Sequence, residues 1–436
     1  MSSAARRLGL IFGSRSVERE VSIMTASKVY EVLSTLRDRF ETLPVFIAAD
    51  GTWLTGEAVQ DLLLVDSEIR RLAVLSAGAG AGERATIDAE KLRLNRERYL
   101  PQLGNLDRGV HASGAEPLSL APDPSVGVLV PPPERRRWLR SRLHPRFDVA
   151  FPVVHGTHGE DGTIQGLFEL ADLPYVGAGV VASAAGMDKA VSKLVFQGAG
   201  LPVVAWSVFT RRQVLEDESG VIKAVERELG YPVVVKPAVG GSSVGIGMAR
   251  DAEEALSALR GAIRFSQRVL IERALEKRLE VQCGVLGNRT LTVSECEELI
   301  SSGQIVSYHE KYQEERRPGG SDLAPSVIPA RIPPGLADEI RRLAGAAFRA
   351  IDSRGISRVD FLIESDTMKP FVNEINTMPG SLSFALWEAS GIKPAELVLR
   401  LVDLALEAHA EKGATQFASR EGRALVDRRH LVAPGK

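Results

Sequence analysis

The stretch SRVDFLIESDTMKPFVNEIN, residues 357–376, carries the pattern that decides the fold. SRVDFLI (357–363) and PFVNEIN (370–376) each alternate, and ESDTMK between them has turn-forming composition, so together they read as a β-hairpin. Period-two geometry puts Arg358, Asp360 and Leu362 on one face of the first strand, and Glu374 and Asn376 on one face of the second. If the turn brings those faces together, two carboxylates and an amide oxygen share one rigid platform. Mg²⁺ prefers such a hard oxygen set, completed by phosphate oxygens and water. Two half-exposed strands with solvated acids would read the same way, since acids are common on open sheet faces.

Upstream, VVVKPAVGGSSVGIG (233–247) runs from a strand closed by Lys236, through Gly240, Gly241, Ser242 and Ser243, into a second strand. Backbone N–H groups of such a loop cradle phosphate, and a lysine adds a point charge. A glycine hairpin without a ligand has the same composition. It is not a P-loop, because no helix opens at a GK[ST] element. RVLIER (268–273), with Glu272 and later Glu280, falls where a linker would join this small α+β unit to the hairpin unit. Extended backbone between apolar walls suits an adenine edge. Asp251 and Glu254 form a capping-box pattern opening the helix DAEEALSALRGAI.

The N-terminal part has a different texture. RLGLIF (7–12) enters the loop GSRSVERE, and apolar residues at helical spacing follow from Val21 to Leu36, the strand-loop-helix opening of an α/β unit. FDVAFPVVHGTHGEDGT (147–163) repeats that plan, with ligands expected at the strand ends of a parallel sheet. His155 and His158 are spaced i, i+3 in a glycine loop without a third downstream ligand, so hydrogen bonding by His155 is preferred to zinc binding. Residues 68–145, with AGAGAG and PDPSVGVLVPPPERRR, read as an insertion of surface structure without chemistry. The polar segment 301–322 reads as a mobile lid and 413–436 as a frayed tail.

Composition excludes some classes. With 54 basic against 56 acidic residues the net charge is -2, which argues against an electrostatic nucleic-acid or membrane binder. No apolar run approaches the roughly 20 residues of a membrane span. Cys283 and Cys296 lack metal or redox spacing and read as free thiols, and no signal peptide is visible, so a cytoplasmic location is expected.

In this order the motifs closely resemble the D-alanine:D-alanine ligases of the ATP-grasp superfamily. The match runs through SVEREVS, HGTHGEDGTIQG, Met187 to Lys189, Lys236 to Gly247, Lys311-Tyr312, Arg358 to Asp360 and NEINTMPG, and covers most of residues 7–400 apart from the insertion. The resemblance implies three domains: an N-terminal parallel-sheet domain (1–188), a small central α+β domain (189–272) and a C-terminal antiparallel-sheet domain (273–412). It implies ATP phosphates on Lys189, Lys236, Gly241 and Ser243, and adenine and ribose on Glu272, Arg273, Leu275 and Glu280. Arg273 stands where many members carry lysine. Asp360, Glu374 and Asn376 are implied ligands of two Mg²⁺ ions, with Mn²⁺ as a substitute. Glu18, supported by Ser242 and Tyr312, would hold the ammonium of the first D-alanine, with His155 beside it. Arg358 and the Gly380 N–H would stabilise the tetrahedral oxyanion, and Lys311 would ride on the closing loop. The implied product is D-alanyl-D-alanine for peptidoglycan, formed through an acyl phosphate, and the implied assembly is a homodimer. In one respect the chain departs from the family: five residues beyond Gly380, where a serine usually takes the second substrate's carboxylate, stands Ala385. Either Ser381 or Ser383 replaces it, or the second substrate differs, with D-lactate or D-serine as alternatives. An ATP-binding regulator without turnover is the non-enzyme alternative.

Overall fold

The continuous apolar run at the N-terminus forms β1 (Arg6–Gly13), whose last six residues are buried on both faces, as a parallel strand covered by helices requires. A computed structural model of the chain describes residues 5–107, 115–120, 129–130, 147–241, 244–300 and 325–415. After β1 come α1 (Arg19–Ser34), β2 (Phe40–Ile47), β3 (Trp53–Thr55) and α2 (Glu57–Gly78). Next are α3 (Ala81–Leu94), α4 (Leu100–Asp107), β4 (Glu116–Leu120), β5 (Leu129–Val130), β6 (Val149–Pro152), α5 (Thr163–Leu170) and α6 (Val180–Met187). The six strands are ordered β5-β4-β3-β2-β1-β6, parallel at β2-β1-β6 and antiparallel beyond. The described residues of the expected insertion are mostly helical. Val65, Ile69 and Leu72 of α2 close on Leu94 of α3 as a small core of their own, and β4 and β5 lengthen the sheet.

The central unit follows with α7 (Lys189–Gly198), β7 (Trp206–Thr210), α8 (Arg211–Glu216), α9 (Glu218–Glu228), β8 (Val233–Pro237), β9 (Gly247–Ala249), α10 (Ala252–Ala262) and β10 (Arg268–Arg273). Its sheet, β7-β10-β8-β9, is antiparallel throughout. Asp251 caps α10 by accepting from the Glu254 N–H at 2.9 Å, while the Glu254 carboxylate reaches one residue further back than in a capping box, to the Arg250 N–H at 2.7 Å.

The C-terminal unit comprises β11 (Arg278–Gly287), β12 (Leu291–Leu299), β13 (Ser326–Val327), α11 (Pro334–Ala350), β14 (Gly355–Glu364), β15 (Lys369–Asn376), α12 (Phe384–Ala389) and α13 (Pro394–Gly413). The antiparallel sheet order is β13-β12-β11-β14-β15. The alternation read over 357–376 survives in β14, buried and half-buried by turns, with its apolar face on Ile340, Ala344 and Phe348 of α11. Two helices cross between units. Phe196 of α7 packs in the C-terminal core beside Ala182 of α6, and Leu397, Leu401 and Val402 of α13 join the N-terminal core with Ile23 and Val29. Each fully buried leucine contributes roughly 1.5–3 kcal/mol relative to exposure. α7 therefore ties the central unit to the C-terminal one, and α13 ties the C-terminal unit to the N-terminal one.

Candidate active site

Pairing register sets the first layer. In the β14–β15 hairpin Asp360 lies opposite Glu374 and Arg358 opposite Asn376, so the four polar groups share one face. A bulge after Asp360 leaves Asn373 out of the ladder, where its Oδ1 accepts from Lys236 Nζ at 3.3 Å. Arg358 grips Asp360 with two parallel bonds, Nε to Oδ1 at 2.7 Å and Nη2 to Oδ2 at 2.8 Å, and Asn376 Nδ2 donates to Oδ2 at 3.1 Å. Burial works against the Arg358 charge, but the Asp360 carboxylate outweighs it and raises its pKa above the usual arginine value. The guanidinium is a permanent cation here.

Beneath this layer sits a buried charge cluster. Glu272, only 2% exposed, ends β10 with its carboxylate in ion-pair contact with both Lys193 and Lys236. Burial would raise the Glu272 carboxyl, yet the two ammonium groups overcome it and hold its pKa at about 2. Burial lowers the Lys193 pKa in spite of Glu272, whereas at Lys236 the surrounding Glu272, Glu374 and Glu280 outweigh burial and raise it. Lys189 is placed above them by α7: its Nζ donates to the Gly240 carbonyl and lies 3.6 Å from Glu374 Oε2. Asp188 caps that helix, accepting from the Ala190 and Val191 N–H groups at 3.1 Å each. Lys193 is absent from the sequence reading. Its signal was available, since it lies one turn beyond Lys189 on the same helix face.

The third layer comes from the N-terminal sheet. Ser22, on α1, donates to the Val153 carbonyl at 2.6 Å and accepts from the Gly13 N–H at 2.8 Å, which fixes the start of that helix to both strand ends. Glu18, just before α1, is buried between two glycines. A Cβ on Gly241 would come within 2.7 Å of its carboxylate, and one on Gly156, where φ is +71°, would collide with it as well. His155 is 3% exposed; its Nε2 lies 3.0 Å from Thr25 Oγ1, and Thr25 in turn accepts from the Ser381 N–H at 3.0 Å. Glu160 makes a second strut, accepting from the Gly156 N–H at 2.9 Å and the Met378 N–H at 3.1 Å. Neither Thr25 nor Glu160 was anticipated, although Glu160 lies inside the HGTHGED motif.

One cavity of about 230 Å³ gathers Glu18 and His155 from the N-terminal unit, and Lys189, Lys236, Gly241, Glu272, Arg273 and Leu275 from the central unit and the linker after it. Glu280, Arg358, Asp360, Glu374, Asn376 and Gly380 of the C-terminal sheet complete its wall. Leu275 lines the cavity and is backed by Val204 and Phe371 in a small apolar cluster. The Glu272 carboxylate is committed to its lysines and that of Glu280 is bound by Arg278 at 3.0 Å, so direct contact of either with adenine or ribose must compete with those pairs. Ser381 and Ser383 line an adjoining cavity with Ala385. Ser381, Leu382 and Ser383 have φ of 48°, 51° and 52°, three successive left-handed residues without a glycine. Ser242, Ser243, Lys311 and Tyr312, the lid 301–322 and most of the tail lie outside the described residues.

Among the described residues no group of three or more His, Cys, Asp and Glu side chains could hold a metal. The hairpin instead offers two carboxylates and an amide. Asn376 spends its nitrogen on Asp360, not its oxygen, so the oxygen set suits a hard cation once Arg358 shares Asp360 with it.

Comparison with known proteins points the same way. Residues 7–178 match the family model "D-ala D-ala ligase N-terminus", and residues 195–403 match "D-ala D-ala ligase C-terminus". The chain is 36% identical to D-alanine–D-alanine ligase of Acetivibrio thermocellus over 92% of its own length and 96% of the relative's. It is 34% identical to the enzyme of the same name from Chloroherpeton thalassium, over 93% and 98%. Among solved structures, the VanG D-Ala:D-Ser ligase of Enterococcus faecalis superposes with a TM-score of 0.70 at 27% identity, covering 92% of this chain and 99% of that one. The D-alanine–D-alanine ligase of Coxiella burnetii gives 0.69 at 25%, covering 99% and 100%.

Proposed function

The chain belongs to the D-alanine–D-alanine ligase family, and from that premise we propose that it joins two D-alanine molecules at the expense of ATP, forming D-alanyl-D-alanine for peptidoglycan precursors. The observation that carries the reading is the meeting of Glu18, Lys236 and Arg358, one from each unit, on a single cavity. A free carboxylate is a poor electrophile until phosphorylation supplies a leaving group. In the proposed cycle the first D-alanine sits with its ammonium on Glu18 beside His155, its carboxylate facing the γ-phosphate. Lys189 and Lys236 neutralise the phosphates, and Glu272 keeps Lys236 charged and fixed at that position. The carboxylate oxygen takes the γ-phosphoryl group, giving an acyl phosphate and ADP. The amine of the second amino acid then attacks the acyl carbon, and the oxyanion forms against Arg358 and the Gly380 N–H, preorganised where charge develops. Collapse expels phosphate, which carries away the proton shed by the amine nitrogen, and leaves the new amide bond.

Asp360, Glu374 and Asn376 are the residues that would hold Mg²⁺, with Mn²⁺ as substitute, and the bound ion would supply charge neutralisation for phosphoryl transfer. Domain divisions at 188/189 and 272/273, a homodimer and a cytoplasmic setting complete the proposal. No helix of the described residues is long and apolar enough to cross a membrane. Purified protein with ATP, Mg²⁺ and D-alanine is expected to release phosphate and form the dipeptide. Absence of release with D-alanine, together with release on another D- or L-amino acid, would overturn the substrate assignment; nucleotide binding without turnover on any of them would leave a regulator. A specific observation keeps D-serine and D-lactate in that panel: Ala385, not a serine, lines the acceptor side.

A further inference from the structure

On the ligand face of the C-terminal sheet the register carries one polar row across four strands: Glu297 on β12, Gln282 on β11, Asp360 on β14 and Glu374 on β15. Glu297 is two strands from Asp360, roughly 10 Å at the usual strand spacing, and nothing in the proposed cycle uses it. It is 2% exposed. Its Oε2 accepts from Gln282 Nε2 at 2.6 Å, whereas Oε1 is buried and has no hydrogen-bond partner among the described residues. A buried acceptor left unmatched costs about 1–3 kcal/mol, and more when charged. A donor that arrives with a ligand would match it.

A route for that ligand exists. A cavity of about 320 Å³ is lined by Glu297, by Lys28 of α1, by Ser383 and Ala385, and by Gln282, Arg358 and Gly380, the last three shared with the first cavity. It therefore opens directly onto the place where the oxyanion is proposed to form. The other charged groups facing it are Glu31 of α1, Arg70 of α2 and Glu388 of α12. Arg70 is held by Asp66 and Glu31, and Arg358 by Asp360, so these two cations already have carboxylate partners.

We infer that, in this acceptor cavity, Glu297 Oε1 takes the ammonium group of the second amino acid and holds it until one proton is lost to water and the freed amine attacks the acyl carbon, so that Glu297 selects amines over hydroxy acids. The inference rests on the ligase reading. A charge-assisted bond from an ammonium is about twice as strong as one from a neutral hydroxyl, which is all a 2-hydroxy acid brings to the same oxygen.

Glu297→Gln keeps the volume and the neighbour Gln282 while removing the charge. Steady-state phosphate release, with D-alanine varied to separate its two binding phases, is expected to show the acceptor KM raised about tenfold, with KM for ATP and for the first D-alanine unchanged. With D-lactate as acceptor the variant is expected to match the wild type, so the amine-to-hydroxy-acid preference falls about tenfold. An unchanged acceptor KM, or equal losses with both acceptors, overturns the inference. Should Glu297→Gln fail to fold, Ala385→Phe narrows the cavity from its exposed wall. It must then raise the acceptor KM and leave that for ATP alone, and an unaltered acceptor KM refutes the assignment. A wild-type protein inactive on D-alanine defeats the ligase reading itself, whereas an active wild type with an indifferent Glu297→Gln defeats only the role of Glu297.

Discussion

The nucleotide side and the acceptor side of the cleft are built by different means. On the nucleotide side every charge is locked to another: Glu272 to Lys193 and Lys236, Asp360 to Arg358, Lys189 to Glu374. Most of these groups stand on strands whose register is set by backbone pairing. On the acceptor side the wall is a four-residue turn, Gly380–Ser383, with three left-handed residues, tied to α1 through Thr25 and faced by a carboxylate with one oxygen unmatched among the described residues. In the proposed cycle, one side is preorganised to neutralise phosphate whatever the amino acid. The other is a loop against a helix, where one substitution changes which molecule fits.

The largest expected effect tests the locked side. Glu272→Gln leaves two buried lysines facing an uncharged partner, and removing one member of a buried ion cluster costs about 3–5 kcal/mol. Urea unfolding should show that loss, with a raised KM for ATP. The same cluster fixes a pH response. Because Glu272 titrates at about 2 when folded and higher when unfolded, its contribution is complete above the ordinary carboxylate range and fades as pH falls through that range towards 2. Unfolding midpoints measured from pH 6 down to pH 2 should drop less steeply in Glu272→Gln than in the wild type. Parallel curves would show that the cluster is not electrostatically coupled to folding.

Next comes the boundary between the two sides. Arg358→Met removes the oxyanion's cation and should lower kcat on the order of 10²–10³-fold, as loss of an oxyanion donor does, with little change in KM for ATP. A smaller effect belongs to the strut between α1 and the acceptor turn. Thr25→Val deletes the hydroxyl that serves both His155 and the Ser381 N–H and leaves the latter unmatched, at about 1–3 kcal/mol of stability. D-alanine kinetics should weaken while nucleotide binding, followed by calorimetry, stays intact; equal losses in both would erase the distinction between the two sides. The mildest change is Ala385→Ser. At an exposed position stability should move by no more than about 0.5 kcal/mol. The acceptor KM for D-alanine should fall a few-fold if a hydroxyl there meets the carboxylate, worth about 1 kcal/mol.

Much of the locked side was legible beforehand. The alternation of SRVDFLI and PFVNEIN was enough to put Arg358 and Asp360 on one face of a hairpin strand and Glu374 and Asn376 on one face of the next, but their pairing, Asp360 with Glu374 and Arg358 with Asn376, depends on the bulge. The bulge at Asn373, which turns that residue towards Lys236, was not visible, since one extra residue in a ladder has no compositional mark. Glu272 was read as a nucleotide contact and stands in the cavity wall, but its carboxylate serves two lysines first. Lys193 went unnoticed because a lysine is seldom fully buried unless paired, and its partner lies 79 residues away. Glu297 carries no local mark either, being one of three acids in SECEEL, residues 294–299.

From the sequence alone came the elements, their periodicities, the glycine loop, the order of motifs that marks the family, and the odd Ala385. These are local quantities, readable because a strand repeats every two residues and a helix every 3.6. Only the tertiary structure decided that Glu18 is pressed between Gly156 and Gly241, that α7 and α13 leave their neighbours in sequence to pack on other units, and that Glu297 faces the second cavity with one oxygen unmatched among the described residues. Burial and charge pairing depend on distances between segments far apart in the chain, and no local pattern encodes those distances.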